Sequence, residues 1–431
     1  MPLRKRIREH HKPGMRMTNF QKQPAQTGPL SVRSIIILCF CAAFMLVEGL
    51  DLAAMPLTIP RVSAQWGLPA ADFSISLSIV VIGIGIAAIA IAPFGEKIGR
   101  RRMIFWSGLF TAVVTVATAY STSVTAFTVW RFLTGLGLGA CLPNITASVA
   151  QMAPDHMRAR ILAVVNTAIP AGSVLAGFIA VPLIKIGNWP ALFLFAGILT
   201  LLVTVALRSL MPAPVPVPAS TDHETARTEL PPPSQSPLTE LIKGRYRSIT
   251  LLLLGLATTN TFLMYMVVNW LPTLLPRGGV SVDSAAQLSS IFQFGGIMGG
   301  FLFAYLMDKG HAIITFMAGY IAAALAFILL GFVPYNGVIW TILLLIAGIG
   351  ISGAHVAITI FGIGFYPNYM ISSFIGLSIA ITRIGAISGP MAGGWLIGNS
   401  HGMSPFMLAA LAPTSLCLGW IILICKINKK S

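Results

Sequence analysis

Residues 92–102 have the sequence Ala-Pro-Phe-Gly-Glu-Lys-Ile-Gly-Arg-Arg-Arg and lie between two long apolar stretches. A second acid–lysine pair, Asp308-Lys309, follows another apolar stretch much later in the chain, as Glu96-Lys97 follows the first. The recurrence of this short polar segment at the same place after an apolar run indicates two structurally equivalent halves. The apolar stretches on either side of these segments then indicate which secondary structure forms the two halves.

The composition excludes several protein classes. The chain has 431 residues, of which 56% are hydrophobic and 9% are charged, whereas soluble globular proteins contain about 25% charged residues. A soluble enzyme, a disordered regulator and a fibrous protein are therefore excluded. Apolar runs of 18 or more residues predict membrane-spanning helices. We predict twelve of them, at 34–57, 73–94, 103–121, 127–150, 159–184, 189–210, 248–275, 286–307, 313–333, 338–358, 371–397 and 405–425.

The predicted spans divide the chain into five segments. The central stretch between spans six and seven is polar and rich in proline, so it cannot bury a core and is predicted to be a linker. We expect a tail, a six-helix half, a linker, a second six-helix half and a short tail at 1–33, 34–210, 211–247, 248–425 and 426–431. The expected fold is an all-α membrane protein with two halves related by a parallel repeat.

The charge distribution predicts the orientation. A net charge of +16 could indicate nucleic-acid binding, but most Lys and Arg residues lie in the termini and in alternate loops. In the loops on the opposite side, the only Lys and Arg residues are Arg61, Lys185 and Arg277. By the positive-inside rule, both termini and the linker are cytoplasmic in an inner membrane. The lipid bilayer is thus the expected partner, and nucleic acid is not.

The five cysteines lie in apolar runs without a CxxC pair or a metal-ligand spacing. They are interpreted as small apolar residues of helices. We expect no metal and no cofactor.

Four further motifs allow a comparison with known families. They are Arg131-xxx-Gly135-xxx-Gly139 in span four, Glu48-Gly-Leu-Asp51 in span one, Asn269-Trp-Leu-Pro272 in span seven, and Arg383-Ile-Gly-Ala-Ile-Ser-Gly-Pro390-xx-Gly-Gly394 in span eleven. Together with the loop at 92–102 they resemble the major facilitator superfamily. The motifs of spans one, seven and eleven are similar to those of its aromatic acid:proton symporters.

Some positions depart from the family pattern. Ala92 replaces a usual Gly, Glu96 a usual Asp, and Leu50 a usual Phe. Ile371 stands where these symporters commonly have an Arg after Tyr-Pro, a difference that concerns the substrate more than the fold. The resemblance implies a monomeric transporter that imports a small organic anion, an aromatic carboxylate of the benzoate type, together with a proton.

Four charged residues lie more than three residues from either end of a predicted span, namely Glu48, Asp51, Arg131 and Arg383. A charge at bilayer depth costs about 2.5–3.5 kcal/mol, so each is expected to have a function. Glu48 and Asp51 share one helix face because they are three residues apart. We expect the four charges to cancel in one cavity, so that an entering anion requires a proton on Glu48 or Asp51. Arg383 is the predicted carboxylate ligand because its guanidinium can bind both oxygens. Arg131 either assists it or pairs with Asp51.

Further candidates have a structural alternative. Tyr265, Asn269 and Trp270 precede Pro272, which is expected to break span seven and expose a site, although Trp270 could equally be an interfacial anchor. Gln293 is polar at membrane depth and could instead connect helices, and a packing role for His355 is an alternative to substrate contact. A cytoplasmic gate is predicted at Glu96, Gly99, Arg100, Arg101 and Asp308, with a purely topogenic role for the arginines as the alternative.

Three other functions remain as alternatives. A drug:proton antiporter would share the architecture, but the Gly-Pro-xx-Gly-Gly motif usual in span five of such exporters occurs here only in span eleven. An aliphatic dicarboxylate or a nicotinate-like acid could replace the aromatic substrate. A membrane enzyme or sensor is disfavoured because no metal cluster, nucleophile motif or phosphate loop is present in the sequence.

Overall fold

The computed structural model of the chain describes residues 31–154, 156–212, 237–244, 246–399 and 402–430. Over these ranges the regular structure is helical. Most of the predicted N-terminal tail and most of the predicted linker lie outside the described residues. The long helices are α1 Val32–Trp66, α2 Ser74–Ala90, α3 Arg100–Thr118, α4 Val124–Met152, α5 Arg158–Gly187, α6 Pro190–Leu210, α7 Arg247–Leu274, α8 Val282–Asp308, α9 Ala312–Phe332, α10 Gly337–Ile363, α11 Asn368–Asn399 and α12 Leu411–Lys430.

Within the described ranges, eleven stretches are long and apolar enough to cross a membrane. They correspond to all the long helices except α3. Helix α3 begins with Arg100, Arg101 and Arg102, whose charge lowers its mean hydropathy. The apolar remainder of α3 packs against α4 and α6, so α3 completes the twelve helices that the sequence predicts.

Two predictions about helices are wrong for the same reason, which is that proline neither ends nor breaks these helices. Helix α1 was expected to end at residue 57 but continues through Pro56 and Pro60 to Trp66, where Gly67 closes it with a φ of 64°. Helix α7 was expected to break near Pro272, but this residue lies in the last turn of an unbroken helix. A buried helix tolerates proline when neighbouring helices stabilise it.

The last predicted span, 405–425, is also different. A short helix, Met403–Ala409, precedes α12, which starts at Leu411.

The helices of the two halves pack in the same order. In the first half α1 contacts α5 and α6, α2 contacts α4, and α3 contacts α4 and α6. In the second half α7 contacts α11 and α12, α8 contacts α10, and α9 contacts α10 and α12. When six is added to each helix number, the contacts of the first half become those of the second half. This match confirms the predicted parallel repeat.

Close glycine contacts fix the register of this repeat. Gly83 of α2 lies against Gly135 of α4, and Gly295 of α8 lies against Gly348 of α10. Small residues allow helix backbones to approach each other closely. The offset in the sequence from Gly83 to Gly295 equals the offset between the two acid–lysine pairs. We call this common offset the repeat offset and apply it to α1, α2 and α3. In α4 the equivalent positions are given by Gly135 and Gly348, whose offset is one residue larger.

The halves are joined at one end of the molecule. Helices α1 and α7, α2 and α11, and α5 and α8 contact each other across the boundary between the halves. One large apolar cluster contains residues of both halves, such as Leu57 of α1 and Leu271 of α7, at the end opposite the α6–α7 connection. At the end that contains this connection, which we call the linker end, each half has its own apolar cluster.

Candidate functional site

An ion pair is enclosed within the first half. Nη1 of Arg131, on α4, donates to both carboxylate oxygens of Asp51, on α1, at 3.1 Å each. Both residues are fully buried. The guanidinium of Arg131 also lies over the ring of Phe193 of α6, 5.7 Å from its centroid. The pairing of Arg131 with Asp51, one of the two alternatives from the sequence, is thus present in the structure.

A second acid lies one helical turn before Asp51. Glu48 is fully buried, and its Oε1 accepts a long hydrogen bond of 3.5 Å from Thr200 Oγ1 of α6. The charges of Asp51 and Arg131 both act on Glu48. Among the described residues, Glu48 Oε2 and the Nε and Nη2 atoms of Arg131 have no hydrogen-bond partner. Buried polar groups are nearly always paired, so this charge cluster has donors and an acceptor free to change partners.

The equivalent positions of the second half contain no charge. By the repeat offset, Asn260 and Leu263 of α7 correspond to Glu48 and Asp51. Leu344 precedes Gly348 of α10 by four residues, as Arg131 precedes Gly135 of α4. Asn260, Leu263 and Leu344 are also fully buried. The helix packing that the halves share is therefore compatible with an uncharged interior.

Asn260 is satisfied by neutral partners. Its Nδ2 donates to the Ile351 carbonyl at 3.3 Å, and its Oδ1 accepts from the Tyr320 hydroxyl at 3.0 Å. The polar groups at this level of the second half thus form a neutral hydrogen-bonded network.

The fourth predicted charge lies in a different place. Arg383 of α11 is half-buried in the second half, and its charge acts on the ring of His355 of α10. Nδ1 of His355 is 3.3 Å from Thr261 Oγ1 of α7. The expectation that all four charges share one cavity is wrong, because three lie together inside the first half and Arg383 lies with His355 in the second. Helix spacing gives the depth of a charge but not the direction in which it points.

The other candidate residues of span seven differ in their burial and in their neighbours. Tyr265 is half-buried beside Val80 and Val81 of α2. Asn269 donates to the Tyr265 carbonyl at 2.8 Å. Trp270 is fully buried, and its Nε1 donates to the Pro390 carbonyl at 2.8 Å. Tyr265 therefore lies where the two halves meet, whereas the side chain of Trp270 is enclosed.

Gln293 of α8 is half-buried. Its contact with substrate, like those of Tyr265, Asn269 and Trp270, stays a prediction.

The predicted gate residues lie at the linker end. Gly99 has a φ of 93°, which only glycine adopts without strain, and it turns the chain into α3. Glu96 and Asp308 are exposed, and Arg100 is half-buried. Nη2 and Nε of Arg101 donate to the Arg208 carbonyl at 2.5 and 3.0 Å. The gate function stays a prediction.

Asp283 is a residue that the sequence analysis missed. Its Oδ1 is 2.6 Å from Nη2 of Arg61 of α1, and its Oδ2 is 3.5 Å from Nζ of Lys185 of α5. Asp283 lies in the first turn of α8, so the two ion pairs join the first half to the second at the end opposite the linker. Two features of the sequence indicate this contact. Basic residues are rare in the loops on that side of the membrane, and an acid lies just before predicted span eight.

The chain is similar to known membrane transporters. The model of the Major Facilitator Superfamily matches residues 35–390. The chain is 28% identical over 395 residues to a gallate transporter of Pseudomonas putida, covering 87% of this chain and 88% of the relative. It is also 28% identical over 413 residues to the 4-hydroxybenzoate transporter PcaK of Pseudomonas aeruginosa, covering 90% and 91%.

A solved structure shows the same fold. It is a bacterial homologue of the human lysosomal transporter Spinster in an inward-facing, unoccupied conformation, with a TM-score of 0.76 and 16% sequence identity. The match covers 93% of this chain and 98% of that chain.

Proposed function

The chain belongs to the major facilitator superfamily, and on that premise we propose that it imports a small aromatic carboxylate together with protons across a bacterial inner membrane. The family and the curated relatives indicate a transporter rather than an enzyme. Relatives named for gallate and for 4-hydroxybenzoate support an aromatic acid as the substrate.

The observation that supports proton coupling is the buried cluster of two carboxylates and one guanidinium. With Glu48 and Asp51 both ionised, the cluster has one negative charge more than Arg131 can balance. Arginine does not lose its proton in proteins, so a proton bound by one of the two carboxylates makes the cluster neutral. The unpaired Nε and Nη2 atoms of Arg131 and Oε2 of Glu48 allow the guanidinium to exchange one acid for the other when that proton arrives.

Arg383 is the proposed ligand of the substrate carboxylate. The residue is half-buried, and a guanidinium can form two parallel hydrogen bonds to a carboxylate. The charge of Arg383 acts on His355, and His355 and Thr261, which are 3.3 Å apart, add hydrogen-bonding groups in the same half. Tyr265, Asn269 and Gln293 are proposed to contact the remainder of the substrate where the halves meet. The anion and the proton are thus bound in different halves, and both are carried when the halves move.

The proposed orientation places the linker end in the cytoplasm, as the positive-inside rule predicts. The arrangement seen here, with the halves joined at the opposite end and each with its own core at the linker end, then corresponds to an inward-facing state. The ion pairs of Asp283 close the outside in this state. Closure of the gate residues Glu96, Gly99, Arg100, Arg101 and Asp308 on the other side would complete the cycle of a protein that acts as a monomer.

Uptake by proteoliposomes tests the proposal. Labelled 4-hydroxybenzoate is offered with and without an imposed pH gradient, alkaline inside, and liposomes without protein are the control. One anion moved with one proton is electroneutral, so each pH unit gives about 1.4 kcal/mol and about tenfold accumulation. Equal uptake in both conditions would contradict coupling. Competition by gallate, nicotinate and succinate distinguishes an aromatic acid from the alternative substrates.

A further inference from the structure

Three arginines converge at the linker end of the first half. Nε and Nη2 of Arg33, just inside α1, donate to the Leu210 carbonyl at 3.2 and 3.0 Å. Arg101, at the start of α3, binds the Arg208 carbonyl with the same two nitrogens. The guanidinium of Arg208 itself lies 5.7 Å from the centroid of the Phe105 ring. Backbone carbonyls at the end of α6 thus hold two guanidiniums in the same forked geometry.

These cations repel one another, and none of them has an acidic partner within 4.0 Å among the described residues. The charges of Arg208 and Arg33 both act on Arg101. The ion pairs of Asp51 and Asp283 are formed with other cations. In both Arg33 and Arg101 the carbonyl occupies Nε and Nη2, which leaves Nη1 for another acceptor. A group with several anionic oxygens is the ligand that such a cluster requires.

The surroundings favour a lipid over a free ion. The arginines lie at helix ends, which is the level of the lipid headgroups. On the same helices, α3 and α6, the apolar side chains of Trp106 and Leu202 are exposed, with 62% and 60% of their surface accessible. A phospholipid can place its phosphate on the arginines and its acyl chains along these helices.

We propose that Arg33, Arg101 and Arg208 form a binding site for the phosphate of an anionic phospholipid in the cytoplasmic leaflet. This site is independent of the identity of the transported acid. It stabilises the ends of α1, α3 and α6 relative to one another by neutralising three adjacent positive charges. In the second half, the repeat offset places Ile313 at the position equivalent to Arg101, so the cluster is not repeated there.

The test measures how phospholipids stabilise the purified full-length chain in a neutral detergent. Thermal unfolding is followed while phosphatidylglycerol, phosphatidylcholine or inorganic phosphate is added. The matched variants are Arg33→Gln with Arg208→Gln, and Lys309→Gln, which removes an exposed cation at the same end of the second half. Arg101 is left unchanged because it also belongs to the predicted gate.

Phosphatidylglycerol is expected to stabilise the wild type at a lower concentration than the other two additives. The double glutamine variant should require a roughly thirtyfold higher concentration, since each basic side chain near the headgroups contributes about a factor of five. Lys309→Gln should match the wild type. Equal effects of the two lipids, or of inorganic phosphate, would overturn the lipid assignment, and an unchanged double variant would overturn the site.

A variant with Arg33→Lys and Arg208→Lys provides a second test if the glutamine variant does not fold. It keeps the charges but lacks the fork of nitrogens that fixes Arg33 on the Leu210 carbonyl. We expect weaker binding of phosphatidylglycerol than in the wild type, by a few-fold. Binding equal to that of the wild type would show that the proposed geometry is not used.

Discussion

The two halves of the molecule share one packing scheme but differ in what they bury. In the first half, Glu48, Asp51 and Arg131 form a charged cluster between α1, α4 and α6. In the second half, the equivalent residues are Asn260, Leu263 and Leu344. Because the same helix contacts form around both interiors, the fold alone does not explain the buried charges.

This difference in buried charge supports separate functions for the two halves. Charges inside a membrane protein are costly and commonly functional. We infer that the first half binds the proton through its two acids, while the second half holds the anion through the half-buried Arg383 and His355. This division can be tested by removing the charges of one half, or by making the interior of one half resemble the interior of the other.

The largest effect is expected for Asp51→Asn. This change removes a titratable carboxylate while keeping its size, so accumulation driven by the pH gradient should fall from about tenfold per pH unit to none. Uptake of labelled 4-hydroxybenzoate into proteoliposomes measures it. Leu263→Met, at the equivalent position of the second half, is the matched control and should accumulate substrate like the wild type. Accumulation by Asp51→Asn at the wild-type level would place the proton elsewhere.

The second prediction makes the first half resemble the second. Arg131→Leu alone leaves two buried acids without a cation and should lower the free energy of unfolding by about 3–5 kcal/mol. Asp51→Leu combined with Arg131→Leu should recover most of this loss, because an apolar pair of similar volume often replaces a buried ion pair without cost. Chemical denaturation in detergent compares the three proteins. If the double variant were as unstable as Arg131→Leu, the charges would be needed for the fold.

A smaller effect is expected at the proposed anion site. Arg383→Gln removes charge-assisted hydrogen bonds worth about 1.5–3 kcal/mol, so the Kd of 4-hydroxybenzoate should rise by roughly ten- to 150-fold. Arg383→Lys should retain part of the affinity, because the charge remains while the forked geometry is lost. Equilibrium binding to the purified protein provides the measurement. An unchanged Kd in Arg383→Gln would remove the anion from the second half.

The smallest effect is expected for Asp283→Asn at the closed end. The ion pairs of Asp283 are about one-third exposed on the acid side, so together they contribute no more than about 1 kcal/mol. The balance between inward- and outward-facing states should therefore shift outward by up to about fivefold. Distances between spin labels on α1 and α8 in a cysteine-free protein report this balance. Asp72→Asn, an exposed acid at the same end, should leave the distances unchanged.

The sequence predicts most of the fold for a clear physical reason. Apolar runs of span length and the repeated acid–lysine pair depend only on local composition, so the twelve helices and the two halves follow from them. The end of α1 could not be predicted because Pro56 and Pro60 are tolerated inside a helix that neighbouring helices support. The same reason explains the unbroken α7 at Pro272.

The candidate site was predictable only in part. Spacing places Glu48 and Asp51 on one helix face and at the depth of Arg131, and the resulting ion pair is present. Spacing within one helix does not tell which neighbour that face meets, so the separation of Arg383 from the other charges was missed. Asp283 was missed because its role depends on where α1, α5 and α8 end relative to one another.

The most direct test of this division between the halves measures protons instead of substrate. Proteoliposomes with a pH-sensitive dye inside receive an inward gradient of 4-hydroxybenzoate without an imposed pH gradient. The wild type should acidify the interior as the acid enters, whereas the variant with Asp51→Leu and Arg131→Leu should bind the acid with unchanged Kd and move no protons. Acidification by that variant at the wild-type rate would contradict the account, because proton transport would then not depend on the pairing of Asp51 with Arg131 inside the first half.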